Sequence, residues 1–213
     1  NVAGSFAFVT PTVVPGVGSS ARSVVFTPTD SGNYTTATAN VTVLVNKAPS
    51  SITTLPTATA ISFGQALSNS TLSGGAGNVA GSFAFVTPTV VPGVGSSARS
   101  VVFTPADSGN YTTSTANVTV VVNKAPSSIA TLPTATAITF GQALSNSTLS
   151  GGAGNVAGSF AFVTPTVVPG VGSSARSVVF TPTDSGNYTT ATANVTVLVN
   201  KAAQTIGAFA TIS

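Results

Sequence analysis

Short stretches of alternating apolar and polar residues recur along this chain, and such alternation predicts half-buried β-strands. The clearest strands are predicted at residues 81–86, 98–104 and 111–122. Their inward-facing residues are predicted to form a core of Phe83, Phe85, Val101, Phe103, Val118 and Val120. Two further short strands are predicted at 59–63 and 66–72, ahead of a Ser-Gly-Gly-Ala-Gly turn. No window shows helical spacing, so we expect a chain without helices.

The whole pattern repeats every 77 residues. Residues 155–200 are identical to residues 1–46, and residues 78–123 differ from them at three positions only. A fixed long period indicates an array of structural units. We place the boundary at the lysine of Asn-Lys-Ala-Pro-Ser-Ser. The predicted organisation is therefore a partial copy (1–46), a middle copy (47–123), a last copy (124–200) and the start of a further copy (201–213).

The predicted strands and turns define the expected fold class. About six short strands in 77 residues, with turns between them, predict an all-β fold of small antiparallel sandwiches. Units this small gain stability from neighbours when disulfides and metals are lacking. The junction between copies is short, so we expect a tandem array of touching domains that forms an elongated rod.

Composition narrows the classes of function. Charged residues make up only 4% of the chain, and there is no Cys, His, Met or Trp. A nucleic-acid-binding surface would need clustered Lys and Arg, and no such cluster exists. No apolar run approaches the roughly 20 residues of a spanning helix. The high content of Val and Phe nevertheless excludes a disordered chain.

All three acidic residues occupy the same place in the repeat. Asp30, Asp107 and Asp184 each open an Asp-Ser-Gly-Asn-Tyr segment. We interpret the Asp as a turn residue that accepts backbone hydrogen bonds, with the Gly supplying a positive φ. A calcium site needs six to eight oxygens and usually several carboxylates, which one Asp per copy does not provide.

This segment resembles the tyrosine corner that precedes strand F of immunoglobulin-type sandwiches. Thr36 stands where such domains carry a Cys, and the side-chain parity implies a bulge after Tyr34. Over the whole chain, the pattern is similar to the bacterial Ig-like (MBG-like) tandem repeats of large cell-surface adhesin and stalk proteins. The resemblance implies Ig-like domains, a Tyr hydroxyl bonded to upstream backbone, and an extracellular or cell-surface location.

The residues offer little for catalysis. Paired carboxylates are lacking within a copy, and no His or Glu can activate a Ser or Thr. We therefore predict a protein that is not an enzyme, with no catalytic, cofactor-binding or metal-binding residues and no cofactor. A Lys-to-Asn crosslink involving Lys47 or Lys124 remains an alternative, as does glycosylation at Asn33, Asn40 and Asn69.

Two functions remain from different classes. The first is a structural rod, either the stalk of a surface adhesin or a subunit of an extracellular fibre, giving mechanical reach. Its expected partners are neighbouring repeats of the same chain, with lateral or end-to-end self-association into fibres and neither nucleic acid nor membrane insertion. The second is a binding module repeated for avidity, recognising a glycan or another surface through loops such as 90–97.

Overall fold

The structure is a computed structural model that describes residues 1–205 and residue 207. The described residues fall into two compact units, each assembled from separate chain segments. The first unit contains Asn1–Thr59, Ser70–Pro88 and Ser97–Val120; the second contains Ala60–Asn69, Thr89–Ser96 and the described chain from Val121 onward. The second unit therefore holds the whole last copy and three segments of the middle copy, namely 60–69, 89–96 and 121–123. Of the predicted further copy, residue 206 and residues 208–213 lie outside the described residues.

Regular structure is almost entirely β-strand, which confirms the all-β prediction. The partial copy contains β1 (Gly4–Phe8), β2 (Gly18–Pro28) and β3 (Ala37–Val45). The middle copy contains β4 (Ile52–Thr54), β5 (Thr57–Ala58), β6 (Ile61–Ser62), β7 (Leu72–Ser73), β8 (Ala76–Gly77), β9 (Gly81–Phe85), β10 (Gly95–Pro105) and β11 (Ser114–Asn123). The last copy contains β12 (Ile129–Thr131), β13 (Thr134–Ala135), β14 (Ile138–Thr139), β15 (Leu149–Ser150), β16 (Ala153–Gly154), β17 (Gly158–Phe162), β18 (Gly172–Pro182) and β19 (Ala191–Asn200).

The last copy shows how the strands pair. Its main sheet has four strands in the order β14-β19-β18-β17, and two small sheets pair β12 with β16 and β13 with β15. The β17–β18 and β18–β19 pairs are antiparallel, as predicted, whereas β14 runs parallel to β19. The order β6-β11-β10-β9 recurs in the middle copy, and the partial copy has a three-stranded sheet, β1-β2-β3.

Alternate residues of the long strands build the core. In the last copy the buried core consists of Ile138, Leu144, Phe162, Val178, Val195, Val197 and Val199. In the middle copy, five of the six predicted core residues are buried, and Phe83 is half-buried at 5.1 Å from the ring of Phe103. Period-two alternation thus identified the inner faces correctly.

Glycine makes room for a large buried ring in the last copy. Phe180 is 1% exposed, and its ring lies so close to Gly154 and Gly158 that a Cβ on either glycine would overlap it. Gly151 and Gly152 have φ values of +65° and +81°, so they form the predicted turn between β15 and β16. One glycine-rich segment therefore supplies both a turn and the space for an aromatic ring.

Two predicted elements differ from the structure. The segment 66–72 was predicted as a strand, but Leu67–Asn69 forms a 3₁₀ turn, as does Leu144–Asn146 in the last copy. The reason is that Leu144 is drawn into the core while its amide donates to the carbonyl of Val167 at 2.9 Å. The last long strand also begins later than predicted, at Ser114 rather than at Tyr111.

Candidate functional site

Each Asp-Ser-Gly-Asn-Tyr segment, here called the tyrosine corner, is a hydrogen-bonded turn. In the middle copy, Asp107 Oδ1 accepts from the Asn110 amide at 3.2 Å, and Oδ2 accepts from Asn110 Nδ2 at 2.8 Å. The Asp107 carbonyl accepts from the Tyr111 amide at 3.1 Å. The same three bonds are present at Asp30 in the partial copy. The carboxylate therefore closes a turn, as the sequence predicts.

Two details of the predicted corner are wrong. Gly109 was expected to supply a positive φ, but it is not among the positive-φ glycines, and neither are its counterparts Gly32 and Gly186. The turn closes from residue i to residue i+4, as one helical turn does, and this geometry needs no left-handed residue. The resemblance also implied a bonded Tyr hydroxyl. The side-chain hydrogen bonds of the described residues include none from a Tyr hydroxyl, and the backbone amide makes the corner's bond instead.

The lysine at the start of each complete copy binds the corner of that same copy. Lys124 Nζ donates to the carbonyl of Ser185 at 2.7 Å, and Lys47 makes the same bond to Ser108. The next residue adds two backbone bonds: the Ala125 amide donates to the carbonyl of Asn187 at 2.9 Å, and the Ala125 carbonyl accepts from Thr189 at 3.0 Å. The opening segment and the corner, about 60 residues apart, therefore form one structure.

An aromatic pair joins the last copy to a segment of the middle copy inside the second unit. The rings of Phe63 and Tyr188 lie edge to face, with centroids 5.6 Å apart and an interplanar angle of 79°. Edge-to-face pairing is a favoured arrangement of aromatic rings. Both side chains are half-buried. Tyr188 therefore uses its backbone to close its own corner and its ring to contact the preceding copy.

Two counterparts of these rings are exposed elsewhere in the chain, whereas Tyr111, one period before Tyr188, is half-buried. Phe140, one period after Phe63, is 55% exposed, and Tyr34, two periods before Tyr188, is 51% exposed. Phe140 lines a hollow of about 420 Å³ together with Val171 and the segment 201–204. Since the residue types are the same, the difference in exposure comes from the neighbours that each ring meets.

The described residues hold no arrangement suited to metal chemistry. No group of three or more His, Cys, Asp and Glu residues lies together in this part of the chain. No helix among the described residues is long and apolar enough to cross a membrane. Lys47, Asp107 and Asn110 are exposed, and Lys47 Nζ donates to the backbone carbonyl of Ser108. A crosslink of Lys47 to Asn therefore gains no support from this geometry.

The loop that the binding hypothesis requires is apolar. In the last copy it corresponds to 167–174, and its exposed large side chains are Val167, Val168 and Val171. The Val167 carbonyl accepts from the Leu144 amide, which fixes the start of the loop against the 3₁₀ turn. Loops that recognise sugars usually carry Trp, Tyr, Asp or Arg, and this loop has none of these residues. Asn33, Asn40 and Asn69, the candidate glycosylation positions, are all exposed.

Comparison with known proteins gives weak structural likenesses. No family model matches the sequence, and no curated protein matches it either. A crystal structure of Drosophila N-cadherin domains is similar with 11% identity and a TM-score of 0.25, covering 90% of this chain and 80% of that chain. An I-band fragment of titin has 9% identity and a TM-score of 0.29 over 72% of this chain and 66% of that chain. Immunoglobulin domains of Sidekick-1 have 10% identity and a TM-score of 0.28 over 87% of this chain and 46% of that chain. At such low scores, the function has to be argued from this chain's own geometry.

Proposed function

We propose that this chain is a segment of a non-enzymatic structural rod, built from a tandem array of Ig-like domains and located outside the cell. It would serve as the stalk of a surface adhesin or as a subunit of an extracellular fibre, and its work is mechanical reach. Neighbouring repeats are its first partners. The location rests on the sequence's resemblance to bacterial surface-protein repeats.

The contact between Phe63 and Tyr188 is the observation that carries this proposal. A length-setting array needs units that hold their own cores and also touch the next unit. The last copy has its own core of seven buried residues, and it touches the middle copy through this ring pair. The Phe, Tyr and Lys residues of this junction recur in the sequence with the 77-residue period, so each junction can be built in the same way.

The hydrogen bonds between the opening segment of a copy and the corner of the same copy also favour a mechanical role. The opening segment of the last copy is bonded to its own corner through Lys124 and Ala125. Tension applied along the chain therefore acts on a segment that is already hydrogen-bonded to residues about 60 positions later in the same copy. This arrangement resists peeling of the first residues, because three hydrogen bonds at one place must break together.

Single-molecule stretching of the chain tests the proposal. Each complete copy has 77 residues, and unfolding it should add about 270 Å of contour at about 3.5 Å per residue, less a folded length of about 40 Å. We expect equal steps of about 230 Å, one for each complete copy. A Phe180→Ala variant serves as the control, because it should lower the force of one step and leave the other unchanged.

Steps of other sizes would contradict the proposal. A single larger step would mean that the cooperative element is a compact unit spanning parts of two copies. A chain that extends without steps would mean that the copies carry no mechanical load. The binding alternative makes a separate prediction, namely saturable binding to a glycan array, and no observed geometry favours it.

A further inference from the structure

In the part of the chain that the structure describes, the main sheet of the middle copy has β9 as an edge strand. The sheet order is β6-β11-β10-β9, and β9 lies in the same unit as its neighbour β10. Three of the five residues of β9 are exposed, namely Gly81, Ser82 and Ala84. In the last copy, β17 is likewise at the edge and has the same burial pattern. Because both complete copies share this edge, it is a property of the repeat and not of either end of the sequence.

Alternate residues of β9 direct their backbone groups away from β10. In an antiparallel pair, every second residue exchanges N–H and C=O bonds with the opposite strand, and the residues between them point these groups outward. The bonds at the two ends of the pairing show which residues are which: the Ala106 amide donates to the Ala80 carbonyl at 2.9 Å, and the Val86 amide donates to the Ser100 carbonyl at 3.0 Å. The even-numbered residues therefore bond β10, and the N–H and C=O groups of Gly81, Phe83 and Phe85 face the free edge.

The sequence carries none of the usual devices that protect an edge strand from pairing. Natural proteins block such edges with charged side chains, with Pro, or with a bulge. No charged residue occurs between Lys47 and Arg99. β9 contains no Pro and pairs with β10 without a register shift. Its outward-facing side chains, Ser82 and Ala84, are small. The backbone groups of this edge are therefore accessible to a further strand.

Open space lies beside the first half of β9. A hollow of about 750 Å³ is lined by the glycine-rich segment 74–81 and by Phe83 and Phe103, among others. All of these residues belong to the first unit. The Phe83 side chain is only half-buried. A strand that joins this edge therefore has room for its side chains and meets the uncovered part of an aromatic ring.

We propose that β9 pairs antiparallel with β9 of a second copy of this chain. The pairing has a two-fold axis at Phe83, whose amide and carbonyl bond the same groups of Phe83 in the second chain. Gly81 of each chain bonds Phe85 of the other, so every outward-facing N–H and C=O of both edges is bonded. The two Phe83 rings lie side by side on the inner face, and Ser82 lies opposite Ala84 of the other chain on the outer face.

Self-complementarity is the reason for naming a second copy as the occupant. A two-fold contact uses the same patch on both chains, and this edge matches itself at its centre and at both ends. The edge carries no charge, so like charges do not meet. β1 and β17 have the same sequence as β9, so one chain offers several weak contacts that reinforce one another. The inference rests on the proposed structural role and gives its lateral self-association a specific surface.

Charged variants of the edge provide the test. A lysine variant carries Ser82→Lys and Ala84→Lys, with the same changes at their counterparts in β1 and β17, and a glutamate variant carries Glu at all of these positions. Like charges then face each other across the pairing. In sedimentation velocity at low salt, from about 10 µM to about 1 mM, the average mass of the wild type should rise with concentration. Each variant alone should stay monomeric, and an equimolar mixture should associate because Lys then meets Glu.

A matched control separates edge pairing from added charge. Ala98→Lys and Ser100→Lys, with their counterparts in β2 and β18, add the same charge on the exposed outer face of β10, which is not an edge strand. This control should associate as the wild type does. All the replaced side chains are exposed in both complete copies, so circular dichroism should show wild-type folding in every variant.

Amide hydrogen exchange reports the pairing directly. The amides of Ser82 and Ala84 bond β10 and should exchange slowly at every concentration. The amides of Gly81, Phe83 and Phe85 should exchange fast in the monomer and slow down on association. Equal exchange of the two sets in the associated wild type would overturn the proposal, since association would then use another surface.

The mass measurements can also contradict the proposal. A wild type that stays monomeric at every concentration would overturn it, even if the edge then paired with a strand of a different protein. A lysine variant that associates like the wild type would overturn it as well, and so would a mixture of the two charged variants that stays monomeric. Equal stretching steps in a monomeric chain would leave the structural role standing while the edge pairing fell.

Discussion

Replacing Phe63 with alanine is expected to destabilise the copy that follows it in the chain. The Phe63 ring meets Tyr188 of the last copy edge to face at 5.6 Å. Such pairs contribute about 0.5–1.5 kcal/mol beyond the burial of their area. Removing the ring also returns the covered edge of Tyr188 to water. We therefore expect the free energy of unfolding of the last copy to fall by about 1–2 kcal/mol.

Tyrosine fluorescence can report that copy alone. The chain has three Tyr residues and no Trp, so in a Tyr34→Phe, Tyr111→Phe background the emission comes from Tyr188. A domain of this size loses about 1 kcal/mol of stability per molar urea. The Tyr188 midpoint should therefore move down by about 1–2 M in the Phe63→Ala variant. The shift arises from a residue that lies in a different copy from the reporter.

The control is an exposed apolar residue elsewhere in the middle copy. Leu55 is 50% exposed and belongs to the first unit, so Leu55→Ala should leave the Tyr188 midpoint unchanged. An unchanged midpoint in Phe63→Ala would refute the coupling between the copies. A shift of the same size in both variants would show that the stability of the last copy depends on the folding of the middle copy as a whole and not on the ring pair.

Three further predictions concern the last copy. Phe180→Ala should cost about 3–5 kcal/mol in urea unfolding followed by circular dichroism, since the ring is 1% exposed; a cost near zero would refute the core assignment. Gly154→Ala should cost about 1–3 kcal/mol because its Cβ overlaps the Phe180 ring, whereas Gly170→Ala, with open space around it, should change stability by less than about 0.5 kcal/mol; equal costs would contradict this packing. Asp184→Asn should cost less than about 1 kcal/mol, and calcium or EDTA should not move the melting temperature; a calcium-dependent rise would mean that the corner is a metal site.

Much of the fold could be predicted from local pattern. The strand at Gly81–Phe85 and residues 98–104 of the strand Gly95–Pro105 follow from alternation, because a strand exposes every second side chain to the same environment; residues 95–97 were predicted as part of the loop 90–97 and are strand. The 3₁₀ turn at Leu67–Asn69 could not be predicted in this way. Its segment has no clear period, and its shape depends on a leucine buried by residues distant in sequence. The parallel pairing of β14 with β19 could not be predicted either, because apolar and polar residues alternate in the same way in parallel and in antiparallel strands.

The candidate site was predicted only in its parts. The sequence identified the Asp turn and the lysine at the junction, but it gave no reason to join them. Lys47 and Ser108 are 61 residues apart, as are Lys124 and Ser185, but in a repeat every pair of residues recurs at its own separation, so no signal in the sequence pointed to this pair. The role assigned to the glycine was wrong because a Gly after Asp-Ser suggested a left-handed turn, whereas the corner closes like a helical turn.

The sequence by itself determined the 77-residue period, the inward faces of the long strands and the scarcity of groups for catalysis. These properties depend on local sequence or on composition, so they can be predicted without knowing the three-dimensional path of the chain. Only the tertiary structure decided that the lysine binds the corner of its own copy and that Phe63 meets Tyr188. These contacts join residues about 60 and 125 positions apart, and identical repeats offer several equivalent partners for each. Three-dimensional packing selects one of them.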